Sequence, residues 1–171
     1  QHHLMQLHGG KVWVAHQLDA DTTGVNLFVT QKGLVAVYND WLGLPQTTKT
    51  YVAIVHGVPA WNERSVQAPI GYVDARSLGV AESGKSAHTD LRVLARAPAH
   101  AMIEARIHTG RTHQVRIHLA HLGHPLVGEE WYRETPCTEH PRQALHALRV
   151  QAPACCVRKH DLPALKLEAP L

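Results

Sequence analysis

The segment 108–125, reading His-Thr-Gly-Arg-Thr-His-Gln-Val-Arg-Ile-His-Leu-Ala-His-Leu-Gly-His-Pro, leaves its backbone little choice. Thr109-Gly110-Arg111-Thr112 has the composition of a turn, and Thr112 is placed to cap a helix. Val115, Leu119 and Leu122 then recur at helical spacing, and Gly123 with Pro125 just beyond supplies the stop. Arg116 falls at the edge of that apolar stripe, so it leans toward whatever the helix covers. A buried arginine is costly without an acidic partner, so the rest of the chain must supply a carboxylate.

A second polar stretch lies far upstream. His16-Gln17-Leu18-Asp19-Ala20-Asp21-Thr22-Thr23-Gly24 precedes the apolar run Val25-Asn26-Leu27-Phe28-Val29. A loop carrying acids, hydroxyls and a glycine ahead of a buried strand projects those groups into a cleft at a sheet edge. Between the two stretches, Lys49-Thr50-Tyr51-Val52-Ala53-Ile54-Val55 reads as a strand in which Tyr51, Ala53 and Val55 share a face.

Taken together, these three stretches resemble the RluA-type family of RNA pseudouridine synthases. The family's motifs are His-Arg-Leu-Asp-x-x-Thr-Ser-Gly, Lys-x-Tyr-x-Ala-x-Val-x-Gly, and Thr-Gly-Arg-Thr-His-Gln followed by alternating apolar, Arg, apolar and His. The order and approximate spacing agree from about Val14 to about Tyr132, and the likeness returns weakly at Leu145-His146-Ala147 and Leu167–Leu171. The resemblance implies an α+β fold with a mixed, largely antiparallel sheet and flanking helices. It also implies isomerisation of uridine to pseudouridine in a structured ribosomal or transfer RNA. It assigns catalysis to Asp19, Tyr51 and Arg116, pairs Asp19 with Arg116, and packs the Tyr51 ring against the target base. RNA contact falls to Gln17, Thr22, Thr23, Arg111 and His113. No cofactor and no metal are implied. A strand tyrosine read by itself is a core residue with a satisfied hydroxyl, so the role of Tyr51 rests on the resemblance.

The chain departs from the family pattern in two places. Position 17 is glutamine where most members have arginine, which removes a charge from a side chain implicated in contacting RNA. Residues 1–10 are polar and histidine-rich and read as a loosely packed start. Residues 11–171 are then expected to be a single catalytic domain without the family's usual upstream strands, so that either the chain is a fragment or the sheet lacks an edge. A monomer is expected, with a sheet edge open to pairing.

In chain order, Val25–Thr30 reads as a buried strand, and Gly33–Leu42 as a helix lying on it, closed by Gly43 and Pro45. Residues 59–84 read as a hairpin and loops. Ala87–Arg96 and Ala99–Ile107 read as an antiparallel pair turning at Ala97-Pro98. The net charge of +3 is modest, yet eleven arginines against six lysines suit phosphate and buried carboxylates, which permits RNA binding. Cys137, Cys155 and Cys156 read as reduced thiols. No apolar run reaches membrane-spanning length, and a cytoplasmic enzyme is expected. Two competing readings are a catalytically weak RNA-binding relative, prompted by Gln17, and a metallohydrolase, prompted by fifteen histidines and the run His113, His118, His121, His124. The latter has no His-Glu-x-x-His motif and no acid within the run.

Overall fold

The computed structural model describes residues 5, 6, 8–134 and 140–171. The expected loose start lies partly outside these residues, of which Met5, Gln6 and His8 are helical; Cys137 also lies outside them. Cys155 and Cys156 are free thiols.

The elements in order are β1 (Trp13–Val14), β2 (Thr23–Gly24), β3 (Phe28–Val29), a 3-10 turn (Lys32–Leu34), α1 (Val35–Leu42), β4 (Thr48–His56), β5 (Glu63–Gln67), β6 (Ile70–Tyr72), β7 (Leu78–Val80), β8 (His88–Arg96), β9 (His100–Ile107), α2 (Gln114–His121), β10 (Leu145–Ala152), β11 (Cys155–Val157), β12 (His160–Leu162) and β13 (Leu165–Glu168). A seven-stranded sheet runs β13-β10-β4-β9-β8-β5, with β2 joined to β10. Its pairings are antiparallel except β2 with β10, which is parallel. This is the expected α+β arrangement.

Cross-strand partners share a face of a sheet, so the register locates both helices. Tyr51 faces Ala105 and Ala147, Lys49 faces Ile107 and Val150, and Ala53 faces Ile103 and Leu145. That face carries the core in two parts. Val115 and Leu119 of α2 pack with Ala53, Val55, Leu91 and Ile103, while Val37 and Trp41 of α1 pack with Ala152. The two helices thus cover different halves of one face, and a gap floored by Lys49 and Tyr51 is left between them. The opposite face is partly solvated, with Ile54 40% exposed and an Arg92–Glu104 pair at 3.0 Å across β8 and β9.

Several expectations change. Val25–Thr30 is not one strand: among the described residues β3 pairs with β1 alone, and Thr23–Gly24 forms a separate strand on β10. Helix α1 lies over β10, a strand for which the sequence offered only the weak terminal likeness. The segment read as hairpin and loops contains β5, an edge strand of the main sheet with Glu63, Arg64 and Gln67 exposed, a polarity that discourages further pairing. The hairpin itself is β6–β7. Strands β4, β8 and β9 fall where alternation placed them.

Candidate active site

The residue that caps helix α2 is His113, whose backbone is left-handed (φ 54°, ψ 23°), and not Thr112. The preceding turn is fastened by Gln114 instead. Its Oε1 accepts from Thr109 Oγ1 at 2.7 Å and the Arg111 N–H at 3.1 Å, while its Nε2 donates to the His88 carbonyl and to Thr89 Oγ1, both at 2.9 Å. The helix is buried on more than the predicted stripe, since Ile117 packs under Ile70 and Ala87 and His118 sits between Thr89 Oγ1 and the Ala68 carbonyl. Arg116, 5% exposed, points from this crowded helix toward the gap.

Two close backbone approaches bring acids to it. Gly24 (φ 108°) lies so near β10 that a Cβ would fall 2.2 Å from the Ala147 carbonyl oxygen, which seats β2 and therefore the Asp19 loop on the sheet. Gly128 (φ 74°) would place a Cβ 1.9 Å from the Arg142 carbonyl oxygen, and the next residue is Glu129. From the same segment, Arg142 Nη1 donates to the Asp21 carbonyl at 3.2 Å and Gln143 Nε2 to Thr22 Oγ1 at 3.1 Å, clamping the loop.

The result is a three-residue charge cluster. Arg116 donates from Nε to Glu129 Oε2 at 2.8 Å and from Nη2 to Glu129 Oε1 at 2.6 Å, and its Nη1 lies 3.4 Å from Asp19 Oδ2. The expected Asp19–Arg116 pairing is present, but the stronger partner is Glu129. Sequence reading passed over Glu129, although a buried arginine implied an acid and Gly128-Glu129 stands at the end of the helical motif. Burial alone would push the Glu129 carboxyl up; hydrogen bonds from Arg116 and the Trp131 N–H, with the arginine's charge, hold it below its usual range. The Arg116 guanidinium is raised, its own desolvation outweighed by Glu129 and Asp19.

Tyr132, His113 and Asp19 form a second chain: His113 Nδ1 and Tyr132 Oη are 2.6 Å apart, and His113 Nε2 is 3.8 Å from Asp19 Oδ1. Burial lowers the affinity of His113 for a proton, Asp19 opposes that shift, and Arg116 reinforces it. Burial and the Asp19 charge push the Tyr51 hydroxyl up to about 12. Burial lowers Lys49, another group to which sequence reading gave no role.

These groups border a cleft of about 710 Å³. Gln17, Asp19, Thr22, Tyr51, Arg111, His113 and Arg116 all line it, with Lys49 on its floor and Asn39, Leu42 and Gly43 of the α1 end on its far wall. Gln17 is exposed there. Arg111 is tethered by Nε to the Ser86 carbonyl at 2.8 Å. Thr23 is the predicted site residue that does not line the cleft, and its hydroxyl lies 2.9 Å from His146 Nδ1.

The histidines proposed as metal ligands are dispersed, with His118 in the core and His124 Nδ1 3.1 Å from the His56 carbonyl oxygen. Among the described residues a different set, His88, Asp90 and His108, brings three ligand atoms within 4.8 Å of one another. Its imidazoles stack at 4.2 Å and 17°, so their in-plane lone pairs run side by side, a poor fit to one metal ion. Each ring instead meets one Asp90 oxygen, at 3.2 and 2.6 Å.

Residues 4–121 match the family model described as RNA pseudouridylate synthase. The chain is 38% identical over 177 residues to ribosomal large subunit pseudouridine synthase D of Pseudomonas aeruginosa, covering 92% of this chain and 52% of that protein. It is 35% identical over 138 residues to the uncharacterized RNA pseudouridine synthase YlyB of Bacillus subtilis, covering 78% and 45%. The chain therefore spans about half the length of these relatives. Among solved structures, human RNA pseudouridylate synthase domain containing 1 superposes with a TM-score of 0.82 at 25% identity, over 98% of this chain and 71% of that one.

Proposed function

We infer the function from one premise: the chain belongs to the RNA pseudouridylate synthase family. The reaction we propose is isomerisation of a uridine in structured RNA, and the name of the Pseudomonas relative points to large-subunit ribosomal RNA as the substrate. The N1–C1′ bond breaks, the uracil turns, C5 bonds to C1′, the C5 hydrogen leaves as a proton and N1 gains one. Atoms and electrons balance without an oxidant or reductant.

One observation carries this reading: a partly exposed carboxylate, Asp19, stands beside a buried Arg116 guanidinium that Glu129 anchors, in a cleft floored by Tyr51. The guanidinium lies 3.4 Å from one Asp19 oxygen and holds the carboxylate at the cleft wall, which suits it to act on ribose or ring. The Tyr51 ring offers a flat, neutral surface to the detached base. Because C1′ cannot be reached inside a stacked helix, the nucleotide must flip into the cleft, at a cost of a few kcal/mol that contacts to the RNA offset. Gln17, Thr22, Arg111 and His113 are the groups we assign to those contacts, and Thr23 acts through the loop that it anchors.

The test is tritium release from unmodified large-subunit ribosomal RNA transcribed with 5-tritiated uridine. Release by the unaltered protein and none by Asp19→Asn is expected. RNA that is bound but releases no tritium with either protein would sink the proposal.

A further inference from the structure

Beside the catalytic pair lies a shallow cavity of about 100 Å³ that does not belong to the main cleft; its lining mixes acids and cations around an aromatic ring and includes Asp19, Asp21, Glu130, Arg116, Arg142 and Trp131. The two cavities share Asp19, His113 and Arg116 as a wall. Trp131 is out of character for such a place. The residue is 66% exposed, whereas the neighbouring Arg116 and Glu129 are buried. The chain nevertheless holds it firmly. Its backbone N–H donates to Glu129 Oε1 at 3.0 Å, its ring centroid is 5.1 Å from that of His113, and its inner face takes the Arg116 guanidinium at 5.1 Å. Arg142, tied to the Asp21 and Gln143 carbonyls at 3.2 and 3.3 Å, puts a further positive charge on the rim.

We propose that Trp131 is a stacking platform for an unpaired nucleobase adjacent to the target uridine, forming with Arg142 a second nucleotide subsite next to the Asp19 cleft. The inference rests on the functional reading above and deepens it. A strand that delivers one base to Tyr51 has to continue past the shared wall, and the small cavity has room for part of one nucleotide. An indole whose outer face is open and whose inner face is braced by a cation is preorganised for a base, because every base has a π-face and stacking tolerates sequence. Arg142 is placed to meet the phosphate between the two nucleotides. A hydrophobic protein partner would also cover an exposed tryptophan, but this one stands across a shared wall from the cleft assigned to the target nucleotide, with Arg142 on its rim, so the RNA strand is the occupant within reach.

The experiment measures affinity of the full chain for an unmodified large-subunit ribosomal RNA transcript, together with tryptophan fluorescence. Trp131→Ala should weaken binding about tenfold, the order of one lost base–aromatic stack. Trp131→Phe should restore most of it, and Trp131→Leu, which supplies apolar bulk without a π-face, should not. Emission should be quenched by RNA in the unaltered protein and much less so in Trp131→Phe. Affinities within twofold of each other for the unaltered, Ala and Leu proteins, with tritium release intact, would overturn the platform alone; if self-association of the unaltered protein vanished in Trp131→Ala at the same time, the indole would belong to a protein interface. No measurable affinity of the unaltered protein for RNA would overturn both the platform and the functional reading.

Discussion

Glu129 grips Arg116 through two hydrogen bonds of 2.6 and 2.8 Å, while the same guanidinium stands 3.4 Å from Asp19. The two acids therefore have different work. Glu129, with no solvent access, compensates a buried cation and fixes its plane, and this leaves Asp19, 22% exposed, as the one of the two that borders the cleft, where the proposed reaction needs a carboxylate.

Removing one member of the buried pair leaves the other charge without compensation. Glu129→Gln and Arg116→Ala should each destabilise the fold by about 3 to 5 kcal/mol, measured by urea unfolding at neutral pH. Because the folded Glu129 carboxyl titrates below its ordinary 4.5, its contribution is complete above that value and is lost as pH falls through the folded value. Stability of the unaltered protein should drop through that acid window, and Glu129→Gln should drop less. Equal slopes for the two proteins would remove Glu129 from the account.

Asp19→Asn should fold, bind RNA and lose turnover by several orders of magnitude, as a residue that acts directly on substrate does. Asp21 is its internal control. It is exposed, and the structure uses its carbonyl rather than its carboxylate to hold Arg142. Asp21→Asn should therefore retain most activity in the same tritium assay.

The sequence made this site legible in parts whose chemistry is local. A turn, a helix with an arginine at its buried edge and a strand with Tyr51 on one face are all stated by short-range spacing, and β4, β8, β9 and α2 fall where that spacing puts them. What depends on long-range approach was not legible. Glu129 reaches Arg116 through a left-handed Gly128 pressed against Arg142, and β2 exists because Gly24 lets the backbone meet Ala147. Neither contact leaves a periodic trace. The run Val25–Val29 looked like one strand because its apolar density is real, yet Val25 serves the cluster with Leu42 and Val150 while Val29 belongs to the small β1–β3 pair.

Three imidazoles, His118 buried and His113 and His16 partly so, predict a second pH dependence. His118 is lowered by burial, partly opposed by the Ala68 carbonyl; His113 by burial and Arg116 against Asp19; His16 by burial and the Lys49 charge. For a base held neutral in the fold, the unfolded chain takes up protons first, so stability is full above the ordinary 6.5 and falls as pH drops below it. The melting temperature should decline between pH 7.5 and 5.5, and His118→Gln should flatten part of that decline even if its starting value is lower. A melting temperature constant across this range would show that these imidazoles do not couple to folding.

The Tyr51 hydroxyl, pushed up to about 12, stays protonated through ordinary assay conditions, so on the proposed reading its ring matters more than its proton. Tyr51→Phe should cost less than about tenfold in kcat/KM, and Tyr51→Ala, which leaves the detached base without a surface, about a hundredfold, the scale of a misplaced reactant. The pH–rate profiles of the unaltered and Phe proteins should superimpose up to pH 9. A basic limb that disappears in Tyr51→Phe would instead give the hydroxyl a direct proton-transfer role.

Gln17 is where the chain leaves the family pattern, and its exposure on the cleft rim decides what an arginine there would do. A buried glutamine would have made the substitution a desolvated charge and a loss of stability. At an exposed rim the added cation is solvated until RNA arrives. Gln17→Arg should therefore leave the thermal melt unchanged, tighten RNA binding, and steepen the log-log salt dependence by about one unit for one additional phosphate contact. The chemical rate on saturating RNA should change little, because a contact made equally in ground and transition states does not lower the barrier between them. Affinity identical to the unaltered protein at every salt concentration would show that this side chain does not reach the RNA, and the contact assigned to position 17 would then have to be withdrawn.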